Sequence, residues 1–190
     1  MSVPAQSERA AADERLWLRR AGLVLVSPRS VFVSLRDDSE PAARARSEAI
    51  LALVLLAGIG AVLWTPTYGR LMDDVAYDGL LVAIVAFIGG GLYGAAGYFA
   101  AGLLLHCVSR IVGGGSYRQA RHLLAFAAAP LALSLVLIWP VRLAVYGEDV
   151  FRSGGADHGP GNWAFVAAEL AFVAWALGLL ALGARIVYRR

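Results

Sequence analysis

Lysine is absent from this chain of 190 residues, cysteine occurs once, and charged residues make up only 16%. A soluble domain carries about 25% charged residues, so a water-facing surface cannot be assembled from this composition. The single Cys107 excludes an intrachain disulfide. With no lysine, all 17 basic side chains are arginine, the residue best suited to tight phosphate contacts at an interface. The net charge of +3 forms no basic stripe interleaved with aromatics, which argues against a nucleic-acid partner. No serine, histidine and acid set, no paired carboxylates and no H-E-x-x-H motif stands out, so nothing here carries an enzymatic reaction. His106 and Cys107 are neighbours, but His122 and His158 fall in other loops, so no converging metal-ligand set is expected, and no cofactor. The first 15 residues are polar and charged, which is not the pattern of a cleaved signal peptide, and the first apolar span is expected to act as an uncleaved anchor.

What the chain has in abundance is apolar residues, 59% of the total. They gather in four long stretches, Ala49 to Gly69, Gly79 to Ser109, Leu123 to Val141 and Trp163 to Ala184. A bilayer core of roughly 30 Å needs about 20 helical residues, so these lengths predict an all-α, polytopic membrane bundle with four transmembrane helices. The expected division is a polar amino terminus over 1–15, a cytoplasmic interfacial segment over 16–48, and a bundle over 49–190 with spans at about 49–69, 79–109, 123–146 and 163–187. Arginine alternates between the connecting segments, at eight, one, three, two and three. This bias places both termini in the cytoplasm and the chain in the cell's cytoplasmic membrane as a multi-pass protein.

Ahead of the first span, Leu16, Trp17, Leu18 and Leu23 to Val26 form an apolar patch broken by Arg19 and Arg20, too short to cross but suited to the headgroup level. Ser27 then has the character of an N-cap, with Pro28 at the first helical position. Val31, Phe32 and Leu35 share one face of that short helix, and Arg29 and Arg36 the other. Two readings stand: contact with anionic lipid or a partner protein, or simple packing under the bundle.

Within the spans, Gly89, Gly90 and Gly91 are the natural place for a bend in the overlong second helix. Gly90, Gly94, Gly97 and Ala101 line one face at i, i+4, i+7 and i+11, where another backbone can approach closely, from this chain or from a second copy. The turn Gly113-Gly114-Gly115-Ser116-Tyr117-Arg118-Gln119 stops the second helix, and Ser116 with Gln119 has capping-box spacing. It lacks the Gly-Lys-Ser of a phosphate loop, although Arg118 and Arg121 could meet lipid phosphates or a cytoplasmic partner. Pro130 is expected to kink the third span. Glu169 is the one acid inside an apolar span, which suggests either pairing with Arg142 or a role in transport.

Residues 25–32, Leu-Val-Ser-Pro-Arg-Ser-Val-Phe, the Gly-Gly-Gly-Ser-Tyr-Arg-Gln turn, the proline-bearing span ending Ile138-Trp139-Pro140 and the closing residues 183–188 resemble the bacterial branch of the Yip1-domain family, over about residues 20–190. The family usually has five spans, and this chain ends where a fifth would begin. Its eukaryotic members are trafficking factors that associate with small GTPases and with each other. The resemblance therefore implies a non-enzymatic scaffold or interaction protein acting through helix packing, lipid contacts, partner proteins or homo-oligomers. The competing expectation, from the residues alone, is a small transporter or channel subunit that uses Glu169 and the glycine-lined second span.

Overall fold

The computed structural model describes residues 15–188, which are helices and turns with no strand among them. Apart from Arg15, the polar stretch 1–15 lies outside the described residues. Residues 15–23 form a first helix, α1. It is followed by α2 (Pro28–Ser34), α3 (Glu40–Ala45), α4 (Ser47–Leu63), α5 (Gly79–Val112), α6 (Tyr117–Ala127), α7 (Ala129–Tyr146) and α8 (Asn162–Tyr188). Short 3-10 turns fill the two loops, at Tyr68–Asp73, Gly147–Phe151 and Ala156–His158.

Three stretches are long and apolar enough to cross a membrane, Gly79–Ile111, Tyr117–Phe151 and Asn162–Tyr188, while α4 is shorter at 17 residues. Their outward faces settle what surrounds them. Leu92, Leu104 and Ile111 on α5 are each more than two-thirds exposed, and the most apolar window of α8 is only 6% buried. Apolar surface on that scale would drive a soluble protein to associate, whereas a bilayer accommodates it.

The structure corrects three expectations about the spans. The first helix ends at Leu63 rather than at Gly69, because Pro66 offers no N–H and disfavours the helical conformation at Thr65. The Thr65 hydroxyl instead donates to the Val62 carbonyl at 2.7 Å and closes the last turn. The third span is two helices, interrupted at Ala128, so Pro130 sits in the first turn of α7 where a missing N–H costs nothing. Finally, α5 runs as one helix from Gly79 to Val112, unbroken at Gly89 to Gly91, where Gly89 and Gly90 admit close neighbours.

The chain divides into two compact units, one comprising Met1–Leu53, Tyr98–Ala129 and Leu177–Arg190, the other Val54–Gly97 and Pro130–Ala176. In the first, Trp17, Val24, Val31, Phe32, Leu35, Leu123 and Phe126 are buried, with the Trp17 and Phe126 rings 5.5 Å apart. Gly183 of α8 leaves room for them: a methyl group there would meet Leu123 at 2.3 Å and the Phe32 ring at 3.1 Å. In the second, Met72, Val82, Trp139, Val150 and Phe151 form a core that draws the two loops onto α5 and α7.

Candidate functional site

The first unit gathers its charges around Asp38, which stands between α2 and α3. Arg118, one residue into α6, donates through Nε to its carboxylate at 2.9 Å, through Nη2 to its backbone carbonyl, and through Nη1 to Glu40 at 3.2 Å. Ser116 does double duty. Its hydroxyl donates to Asp38, while its oxygen accepts the Gln119 N–H at 2.9 Å and caps α6. The other half of the expected capping box is absent, because the Gln119 side chain reaches across to the Leu35 carbonyl at 3.1 Å. Burial alone would raise the Asp38 carboxyl, but the Ser116 hydroxyl and the Arg118 guanidinium hold it below the usual carboxylate range.

Arg46 completes this latch from beneath. It is fully buried, donates to the Asp37 carbonyl at 2.8 Å and lies 3.8 Å from the Asp38 carboxylate. Its guanidinium carbon lies 5.6 Å from the centre of the Trp17 ring, so α1 is tied to the same cluster. Burial depresses its basicity, with Asp38 and Asp37 opposing that effect. On the neighbouring edge, Arg36 donates twice to the Ile186 carbonyl near the end of α8, at 3.0 and 2.7 Å. Asp38 and Arg46 were not singled out from sequence. The available signal was an Asp37-Asp38 pair inside an otherwise arginine-dominated segment.

α2 carries its apolar and charged residues on different faces. Val31, Phe32 and Leu35 are buried, Arg29 and Arg36 exposed, and Pro28 opens α2. Ser27 precedes it without a side-chain cap bond. The glycine turn contains one position that demands glycine, Gly114 at φ 84°. Arg121 turns away from Asp38 and lies over the rings of Tyr117, Phe99 and Tyr98 at 4.6, 4.9 and 5.2 Å. Gly102 was missed from sequence, yet it is what admits Arg121: a methyl there would meet the arginine's Cγ at 2.4 Å.

In the second unit, two glycines of the small face of α5 meet another helix closely. Gly90 packs on Ile59 and Gly94 on Val54 and Gly58, so α4 is the close partner, whereas Gly97 faces open space and Ala101, in the first unit, is half-buried. Gly89 admits the Tyr68 hydroxyl, which donates to the Val85 carbonyl at 2.7 Å. Glu169 and Arg142 do not pair. Glu169 accepts a hydrogen bond from Ser134 at 3.1 Å, and Arg142 is engaged at 2.7 Å by Asp157, a residue of the loop between α7 and α8 that folds back onto α7. The reason is reach: the loop carries its own acid to the arginine, so the acid on α8 is left to a hydroxyl.

No curated protein and no solved structure matches the chain. The model of one family, described as Yip1 domain, does match, over residues 22–190, the stretch that holds the α2 to α3 latch, the glycine turn, the spans and both loops. That match covers most of the length. The apolar helices and the family model agree: this chain is a multi-pass integral membrane protein that belongs to the Yip1 domain family.

Proposed function

We propose that this protein is a non-enzymatic membrane scaffold, held with both termini on the cytoplasmic side of a bacterial inner membrane. It acts through the surface of its α1 and α2 helices. The observation that carries this reading is the outward face of those helices. Leu16, Leu18, Leu23, Val26 and Val33 are exposed beside Arg15, Arg19 and Arg29, although all precede the first apolar helix. Apolar side chains with interspersed arginines suit an anionic headgroup layer or the juxtamembrane face of a partner. The latch at Asp38 holds the end of α2 against the start of α6, so this surface is presented in a fixed position. The arginine alternation supports the orientation.

A photoreactive residue at Val26, activated in native membranes, tests the reading. A discrete protein adduct supports a scaffold, and adducts of lipid alone with monomer count against one. Labelling of the exposed Cys107 by a membrane-impermeant thiol reagent in intact cells would overturn the orientation.

One observation favours a second reading, a small transporter or channel subunit. Glu169 has one carboxylate oxygen bonded to Ser134 and the other without a bonded partner. Under that reading Glu169→Gln abolishes pH-dependent flux in reconstituted vesicles while the bundle stays folded. Unchanged flux removes it.

A further inference from the structure

The second unit contains a cavity of about 330 Å³ between the two loops, lined by Trp64, Thr65, Arg70, Arg142, Asp157 and His158 among others. That is the small end of the roughly 300 to 1,000 Å³ found for ligand sites. Its chemistry is uneven. Two arginines and a histidine face a single carboxylate, whose Oδ2 accepts from Arg142 Nη2 at 2.7 Å, while its Oδ1 makes no hydrogen bond and lies 3.0 Å from His158 Nδ1.

Arg142 is 95% buried, yet its Nε has no partner, and Asp157 is the one acceptor bonded to its guanidinium among the described residues. The group lies 4.4 and 5.0 Å from the centres of the Trp64 and Trp139 rings, which meet each other edge-on. A buried guanidinium has five donors, and leaving them unanswered is expensive, so this one is fixed in place with capacity to spare. Arg70, on the 3-10 turn Tyr68–Asp73, supplies a second cation from the opposite loop.

We propose that this cavity binds a phosphate group, either of a lipid head or free in solution. A carboxylate satisfies one arginine fork, whereas a tetrahedral oxyanion presents acceptors in several directions at once and suits two arginines on separate elements, Arg142 on α7 and Arg70 on the Tyr68–Asp73 turn. Asp157 orients Arg142 and offsets one charge, which leaves the lining with net positive charge. The site is built from the second unit alone, whereas α1 and α2 belong to the first, so it does not depend on the scaffold reading.

The test uses the full chain purified in a phosphate-free maltoside detergent. It is titrated with inorganic phosphate, with short-chain phosphatidic acid, and with the matching diacylglycerol, and followed by calorimetry and by tryptophan fluorescence, since Trp64 and Trp139 flank Arg142. Saturable binding of phosphatidic acid alone assigns the lipid headgroup, and binding of both phosphate compounds assigns the free anion as well. In either case Arg70→Gln, at an exposed position that leaves the packing of Arg142 intact, weakens binding by about tenfold or more. Arg142→Lys, which keeps the charge but loses the fork, weakens it further. Absence of saturable binding overturns the proposal. So does equal binding of diacylglycerol, or an affinity that Arg70→Gln leaves unchanged while thermal unfolding shows that variant intact.

Discussion

Replacing Gly58 by alanine puts a methyl group 2.2 Å from the Gly90 carbonyl oxygen and 2.7 Å from the Gly94 Cα, where ordinary contact starts at 3.4 Å. Both obstacles are backbone. No side chain can swing aside, so α4 and α5 must part locally by about 1 Å. A gap of roughly 0.5 to 1 Å forfeits a quarter to a half of each dispersion contact, and overpacking of this kind costs about 1 to 3 kcal/mol. In lipid no hydrophobic force between the helices compensates, because the tails are as apolar as the side chains. Alanine is worth up to about 1 kcal/mol more than glycine in a helix, which complicates any single measurement. Gly97→Ala is therefore the matched control, since it earns the same helical preference where nothing lies within 4 Å. The propensity cancels in the comparison, and Gly58→Ala should be less stable than Gly97→Ala by about 1 to 3 kcal/mol. Titration with sodium dodecyl sulfate in mixed micelles, followed by tryptophan fluorescence, reads the difference directly. If the two variants unfold at the same detergent fraction, the close crossing of α4 and α5 is not what holds the second unit together.

Three further outcomes follow from contacts described above. The Asp38 carboxyl titrates below its unfolded value, so its contribution is present above about pH 4 and is lost as the pH falls through the folded value. Amide protection over residues 35–46, taken relative to the intrinsic exchange rate at each pH, should therefore fall on acidification, and Asp38→Asn should lower it at neutral pH as well. Gly183→Ala drives a methyl into Leu123 and the Phe32 ring, and should lower stability by about 1 to 3 kcal/mol in the same detergent titration. Tyr68→Phe removes the bond to the Val85 carbonyl, and should cost about 1 kcal/mol while leaving the span boundaries unchanged by cysteine-accessibility mapping.

The membrane class and the main helices were legible because length and hydropathy suffice for them. The face of α2 was legible too, since Val31, Phe32 and Leu35 follow helical periodicity. The end of α4 was not, because residues 64–69 are apolar enough to continue a span and only the Thr65-Pro66 step stops it. The pairing of charges was the least legible. Sequence places Arg142 and Glu169 on neighbouring spans, but an ion pair depends on which backbone comes back within reach, and here the loop delivered Asp157. The latch at Asp38 was hidden for the same reason: its partners lie about 80 residues away along the chain. The small face of α5 was read as four equivalent positions, although a helix crossing is local and uses only those next to the point of closest approach.

The bonds from Arg36 to the Ile186 carbonyl join residues 150 positions apart. During synthesis, the α2 segment emerges first and then has to wait, since the carbonyl it grips belongs to α8 and is made 150 residues later. At about 5 to 20 residues per second, that interval is on the order of ten seconds. Until then, part of the α2 edge has no tertiary contact to settle into and is open to chaperones, proteases and the insertion machinery. Closure of this clasp thus comes late in synthesis, and a product stalled before Ile186 would lack both of its bonds.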